Sequence, residues 1–247
     1  MTLRVAILLF IITTLLNAQD GPALLERMMT VLEPENSQAQ MTQIINTTSG
    51  AKREFHYEYY TAGKGEKVLI RYTSPARSRG MATLMLNNAR DIWTYFPRTK
   101  RVRKLASSAK RQNFEGSDFT YEDMGSGNTW REDFFATRLD DKTIQDEPCY
   151  TLQLTPKPET DTNYSKLVIF VRKTDYSPLE IHYYDSDDRH IKTLFFQDIR
   201  NVEGIPTAFK MVMKNRLENS STVMGIESIT YDVTYPAGFF TERELRK

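Results

Sequence analysis

The sequence predicts a mostly β protein with few helices, built as one antiparallel sheet that curls up on itself. Three observations carry this. Segments such as KREFHYEYY and AFKMVMKNR alternate: Phe55, Tyr57 and Tyr59 against Glu54, His56 and Glu58, and Phe209, Met211 and Met213 against Lys210, Lys214 and Arg216. A period of two marks a strand with one dry face and one wet face. Similar short runs recur along almost the whole chain, joined by short turns, as sequential antiparallel pairing requires. Only one stretch, near the N-terminus, keeps a helical period.

Taken in order, residues 1–18 (MTLRVAILLFIITTLLNA) read as a secretory signal. An early cation, Arg4, precedes an apolar run from Val5 to Leu16 that is short for a bilayer span, and Ala18 is a small residue at the cleavage position. Residues 19–247 are then a single domain. Residues 21–33 are predicted helical, with Leu24, Leu25, Met28, Met29 and Leu32 on one face, Pro22 in the first turn and Pro34 as the stop. Besides the two alternating segments, strands are expected near 38–46, 66–73, 81–87, 91–96, 100–105, 132–140, 148–155, 165–173, 179–185, 190–199 and 223–235. The Asp-rich stretch YYDSDDRH, with Asp185, Asp187 and Asp188, reads as a hairpin turn rather than a calcium loop. AGFFTEREL is expected to close the chain as a short helix.

Residues 106–129 break the strand pattern. Ser, Gly and charged residues dominate there, with Phe114, Phe119, Tyr121 and Met124 interspersed. A long connection inside a compact sheet is often functional. Ser117 is placed to cap a short helix over DFTYEDM, with Asp118 at its positive end. The segment is expected to lie over the mouth of the curled sheet as a lid.

Charge and motif content narrow the function. The chain carries 33 basic and 32 acidic residues, and loss of Arg4 with the signal leaves the remainder formally neutral. A nucleic-acid binder shows a basic surplus over its whole domain. The lone cysteine, Cys149, excludes an intramolecular disulfide, and its strand-like context suits a small buried hydrophobe. No cysteine follows the signal, so no lipid is attached there. His56, His182 and His190 lack metal-ligand spacing, and there is no HExxH, CxxC, GxSxG, P-loop or GxGxxG element. The expectation is a non-enzymatic protein with no catalytic residues, metal or cofactor.

The stretch from Arg98 to Arg111 holds seven Lys or Arg. Along Lys100, Arg101, Val102, Arg103 and Lys104, cations fall on both faces of a strand. That suits an edge strand, where Lys and Arg block sheet-to-sheet aggregation. A second reading is a basic rim, with Lys100, Arg101, Arg103 and Lys104 docking on an acidic partner or on anionic headgroups.

Four elements in this region carry a resemblance: LIRYTSPARSRGMATLM, DIWTYFPRTKRVRKL, FEGSDFTYEDM and CYTLQLTPKP. With Ser74, Pro75 and Gly80 spaced as SP-x(4)-G, they resemble the LolA-like outer-membrane lipoprotein-sorting proteins, in the same order over most of residues 25–245. The resemblance implies a half-open antiparallel β-barrel whose opening is covered by helices. It implies a periplasmic monomer that shields the acyl chains of a lipoprotein or other lipid between the inner and outer membranes. The KRVR and GSDFTYEDM elements belong to a broader branch that accompanies lipid exporters, so the cargo does not carry over. An inner-membrane exporter of RND or ABC type and an outer-membrane acceptor are the implied protein partners. The rival reading is a periplasmic adaptor that docks on such an exporter through the basic rim.

One face of each strand is expected to line the hollow: Tyr57 and Tyr59; Ile70 and Tyr72; Leu84 and Leu86; Trp93 and Tyr95; Leu152 and Leu154; Ile169 and Val171; Leu194 and Phe196; Met211 and Met213. A one-residue error of phase inverts any strand. Methionines, among them Met81 and Met85, suit a wall that adapts to a flexible guest or simply fill the core. Phe114, Phe119 and Tyr121 are the expected lid residues. Arg71 either faces outer solvent or, as the resemblance implies, hydrogen-bonds to the lid and releases it when cargo enters.

Overall fold

The computed structural model describes residues 21–125 and 129–247. The expected signal, 1–18, and residues 126–128 of the expected lid lie outside them. Thirteen strands form one sheet: β1 Asn36–Asn46, β2 Lys52–Ala62, β3 Lys67–Ser74, β4 Ala82–Leu86, β5 Asp91–Phe96, β6 Arg101–Lys104, β7 Phe134–Ile144, β8 Glu147–Pro156, β9 Lys166–Arg172, β10 Pro178–Tyr184, β11 His190–Val202, β12 Ile205–Asn215 and β13 Ser220–Tyr231. Every strand anticipated from the sequence is present. The spatial order is β6-β5-β4-β3-β2-β1-β13-β12-β11-β10-β9-β8-β7, and all pairs are antiparallel.

This order has a topological consequence. Neighbours in sequence are neighbours in space except at one place, β6 to β7, where the chain jumps from one edge of the sheet to the other. The sheet curls so that β1–β5 and β7–β13 contribute to one apolar core on its concave face. The segment joining the free edges therefore crosses the opening.

Helix α1 (Gly21–Leu32) buries Leu24, Leu25, Met28 and Met29, the face its spacing predicts, against β7, β8 and β12. Its first residue sits so close to the Ala136 carbonyl of β7 that a side chain at Gly21 would collide with backbone. The lid connection contains 3-10 turns at Ser107–Arg111 and Phe114–Gly116, helix α2 (Tyr121–Gly125) and helix α3 (Trp130–Asp133). Arg131 of α3 pairs with Glu26 (2.6 Å) and Glu33 (2.7 Å), which ties the end of this connection to α1.

The C-terminal segment departs from expectation. It forms no closing helix beyond a 3-10 turn at Glu244–Arg246. Instead it runs as a strap over the convex face of β2–β6. Leu245 is fully buried there with Leu69, Ala82 and Leu84, and Phe239 and Phe240 pack beside Tyr60, Trp93 and Tyr95. The Asp185–Asp188 stretch is the β10–β11 hairpin, in which the Asp185 carboxylate accepts from the backbone N–H groups of Asp187 and Arg189. Cys149 is buried on the convex face with Phe170 and Leu179, and burial pushes its thiol up.

Candidate functional site

The concave wall is a continuous apolar surface. Tyr57, Ile70, Tyr72, Leu152, Leu154, Ile169, Val171, Leu194 and Met213 are buried in it, and Tyr59, Phe196 and Met211 pack at its margin. Those six strands carry the phase read from their alternation. Met85 also lies on this wall, and Met81 packs against it.

Two strands are inverted. Leu84, Leu86, Trp93 and Tyr95 lie on the convex face beneath the C-terminal strap, and Met85 and Ile92 take the concave positions instead. The cause is physical: Ala82, Thr83, Leu84 and Met85 are all buried because β4 is covered on both sides. A strand buried on both faces loses the alternation that reports its phase. Arg71 lies on the outer face, one of its two expected placements, but beneath the strap rather than in solvent, and the expected contact with the 106–129 segment is corrected: its Nη2 donates to the Glu244 carbonyl (3.2 Å) and lies 3.8 Å from the Glu244 carboxylate.

The connection between β6 and β7 folds into the opening. Phe114, Phe119 and Tyr121 are buried in the same core as the wall, with Met124 and Trp130 packed against them. Phe114 and Tyr121 meet edge to face at 5.2 Å. The sequence is apolar at these five positions because they replace solvent inside the curl.

Polar contacts hold this plug. Thr120, not Ser117, caps α2: its N–H donates to Asp123 Oδ2 (2.7 Å), and the Asp123 N–H donates to Thr120 Oγ1 (3.1 Å). This is a reciprocal capping box, with Asp in the place usually held by Glu or Gln. Asp118 instead binds β13. It accepts from Thr222 Oγ1 (2.7 Å) and from the Ser220 hydroxyl, and its N–H donates to Thr222 Oγ1 (2.9 Å). Tyr59 Oη donates to the Met124 carbonyl (2.9 Å), and Arg53 donates to the Gly116 carbonyl (2.7 Å).

A buried ion pair joins these contacts. Lys192 of β11 meets Asp123 at 2.6 Å, with side chains only 7% and 4% exposed. The ammonium also lies over the rings of Tyr164 (4.9 Å) and Tyr183 (4.8 Å), and Tyr164 Oη donates to Asp123 Oδ1 (3.0 Å). Two desolvated charges contribute little net stability to a fold, but losing one partner strands the other in a dry site. The pair thus specifies where α2 sits.

Among the described residues, the lid's aromatic side chains occupy the curl: the space between Glu122, Asp123, Phe134, Tyr164 and Tyr183 is about 30 Å³, room for a water rather than an acyl chain. Outside this lies a polar vestibule of about 200 Å³, lined by Arg90, Lys110, Glu122, Trp130, Asp133 and Asp161 among others. Burial pushes Glu122, at the boundary of the two spaces, up to about 7, against the pull of Thr162, Lys110 and Lys192. Burial likewise raises Glu115. Among the described residues no group of three His, Cys, Asp or Glu side chains gathers to hold a metal.

Known proteins share this architecture. A family model described only as "Uncharacterized protein" matches residues 64–247. A domain from Vibrio parahaemolyticus described as an outer membrane lipoprotein-sorting protein is 25% identical, with a TM-score of 0.86 over 94% of this chain and 100% of that one. The chain belongs to the LolA-like family. A DUF1329 family protein from Desulfovibrio piger is 29% identical, with a TM-score of 0.86 over 93% of this LolA-like chain and 99% of its own. A LolA superfamily protein from Nitrosomonas europaea, 22% identical, shares the fold with a TM-score of 0.76 over 91% and 98% of the two chains. No curated protein matches the sequence.

Sequence reasoning missed Lys192 and Asp123. Their separation of 69 positions hides the pair. The one available signal was a cation at Lys192 in register with the inward-facing Leu194 and Phe196.

Proposed function

We propose that this LolA-like protein is a periplasmic carrier that shields the acyl chains of a lipoprotein or other lipid between the inner and outer membranes. The observation that carries the reading is the nature of the closure. An apolar wall built from twelve strands of the sheet is covered not by strand pairing but by the β6–β7 connection and α1, segments that no ladder of hydrogen bonds holds to the wall. Replacing the lid's aromatic side chains with a guest's hydrocarbon keeps the wall dry. Hiding a sixteen-carbon chain gains roughly 12 kcal/mol before ordering costs, at about 0.8 kcal/mol per CH2. Affinity then comes from area, and binding rather than turnover is the activity. The 25% identical Vibrio relative, described by its role in lipoprotein sorting, supports the same reading.

The test is direct. Protein purified without detergent is expected to release acyl lipids to mass spectrometry and to bind a fluorescent fatty-acyl probe that added lipid displaces. Clean protein that neither carries nor takes up acyl chains would refute the carrier.

A second role, docking on an inner-membrane exporter of RND or ABC type, is favoured by charge segregation. Residues 67–114 hold 12 Lys or Arg and one acidic residue, Asp91. Arg101–Lys104 is the free edge strand β6, and Arg77, Arg79, Arg98, Lys100 and Arg101 gather at one end of it, where Gly80 packs against Pro97. Among the described residues, Lys104 pairs with Asp91 at 2.7 Å, while the exposed Arg98, Lys100 and Arg101 make no ion pair. A single-signed rim fits an acidic surface on the exporter. An outer-membrane acceptor would take the cargo at the other end of the route.

A further inference from the structure

Three polar side chains sit in the apolar wall without hydrogen-bond partners among the described residues. Gln43 is 0% exposed, and neither its amide nitrogen nor its oxygen is satisfied. The hydroxyls of Tyr57 and Tyr72, residues each 1% exposed, are likewise unpaired. Buried polar groups are almost always satisfied, and each exception destabilises the state that buries it.

These exceptions are neighbours. Tyr57 lies directly opposite Tyr72 across β2 and β3, with ring centroids 5.5 Å apart. Tyr57 also lies opposite Met41 of β1, and Gln43 is the next residue on that same inward face. Tyr59, one step along the β2 face, differs: its hydroxyl is engaged by Met124 of the lid. The unpaired three thus form one patch of donors in a hydrocarbon-like surface, sealed by Phe114 and Tyr121.

Their chemistry selects a guest group. Two hydroxyls and a carboxamide donate to a neutral acceptor. Glu115, whose carboxylate accepts from Tyr121 and acts on Tyr72 through space, disfavours a second anion there. Arg53, whose charge acts on Glu115, donates its Nη2 to the Gly116 carbonyl and has no partner at Nε among the described residues; that charge is already opposed by Glu115, so a neutral acceptor is the guest the patch fits.

We propose that Gln43, Tyr57 and Tyr72 form a recognition site for the ester or amide carbonyl that joins an acyl chain to its headgroup. With the lid displaced, they donate to that carbonyl while the surrounding wall takes the chain. Because the patch is unsatisfied when closed, it disfavours the empty state and discriminates against a chain that lacks the acceptor. This inference rests on the carrier reading and names what the carrier recognises.

The experiment compares two competitors against a fluorescent fatty-acyl probe: a diacylglycerol and the dialkyl ether of the same chain length. The wild-type protein is expected to bind the ester about tenfold or more tightly than the ether, from two or three hydrogen bonds. Tyr57→Phe with Tyr72→Phe should abolish that preference and raise the thermal midpoint of the empty protein. Should the double variant fold poorly, Gln43→Leu alone is expected to reduce the preference about threefold. Equal binding of ester and ether by the wild type, or a preference that survives all three substitutions, overturns the site but leaves the carrier intact. If neither competitor displaces the probe, the carrier reading falls and takes this one with it.

Discussion

At the scale of single residues, the lid is governed by buried charge. Lys192 and Asp123 meet in a dry site ringed by Tyr164 and Tyr183. Lys192→Met is expected to destabilise the protein by about 3 kcal/mol, since it leaves the Asp123 carboxylate buried and uncompensated. Urea denaturation measures this, and an unchanged midpoint would mean that the pair contributes nothing to lid placement. Glu122 makes a pH prediction. Its pKa is raised by burial from 4.5 to about 7 in the folded protein. The folded state therefore holds a proton that the unfolded state has released, so the stabilisation is full below about pH 4.5 and is lost as pH rises through about 7. The effect amounts to about 3 kcal/mol between those limits. Asp123, Lys110 and Lys192 act on the same carboxyl group. Glu122→Gln should flatten stability across that window, read by thermal unfolding at a series of pH values.

At the scale of elements, alternation is legible only where one face of a strand is wet. β2 and β12 wrote their phase plainly in KREFHYEYY and in AFKMVMKNR. β4 and β5 did not, because the C-terminal strap lies over their outer face and both sides became dry. That strap was the element hardest to foresee: residues 233–243 have neither helical nor strand periodicity, and only contact with Leu69, Leu84 and Trp93 gives them a place. Leu245→Ala is expected to lose about 2–5 kcal/mol, as for a fully buried leucine. Because the strap lies on the convex face, acyl-probe uptake should persist in that variant. Loss of uptake at preserved fold would instead connect the strap, through Arg71 and Glu244, to the hollow. The helix cap shows the opposite failure. Ser117 and Thr120 both satisfy the local rule, and it was the demand of β13 for Asp118 that left capping to Thr120.

At the scale of the whole molecule, charge is divided although the total is near zero. Residues 67–114 form a basic end of the sheet, and the acidic residues that balance them lie elsewhere in the chain. Reversal at Arg101, Arg103 and Lys104 is expected to abolish binding to a membrane exporter while acyl uptake persists. A pull-down and a probe titration on the same variant check the two halves separately, and exporter binding that survives reversal removes the docking role. Topology makes the other global statement. Because β6 and β7 are the two edges of the sheet and are consecutive in the chain, one connection must span the opening, and a lid is the direct result of that order.

The sequence alone determined the number of strands, their positions, the helix at Gly21–Leu32 and the existence of a long non-strand connection with interspersed aromatic residues between β6 and β7. Each of these is a local matter of period, turn chemistry and composition, and local information is what a sequence states openly. The tertiary structure decided which face of β4 and β5 looks inward, that the lid's aromatic side chains pack into the curl, that Lys192 finds Asp123, and that Gln43, Tyr57 and Tyr72 stand together without partners among the described residues. Those depend on what covers a surface, and the covering residues come from distant parts of the chain, brought in by the curl of the sheet.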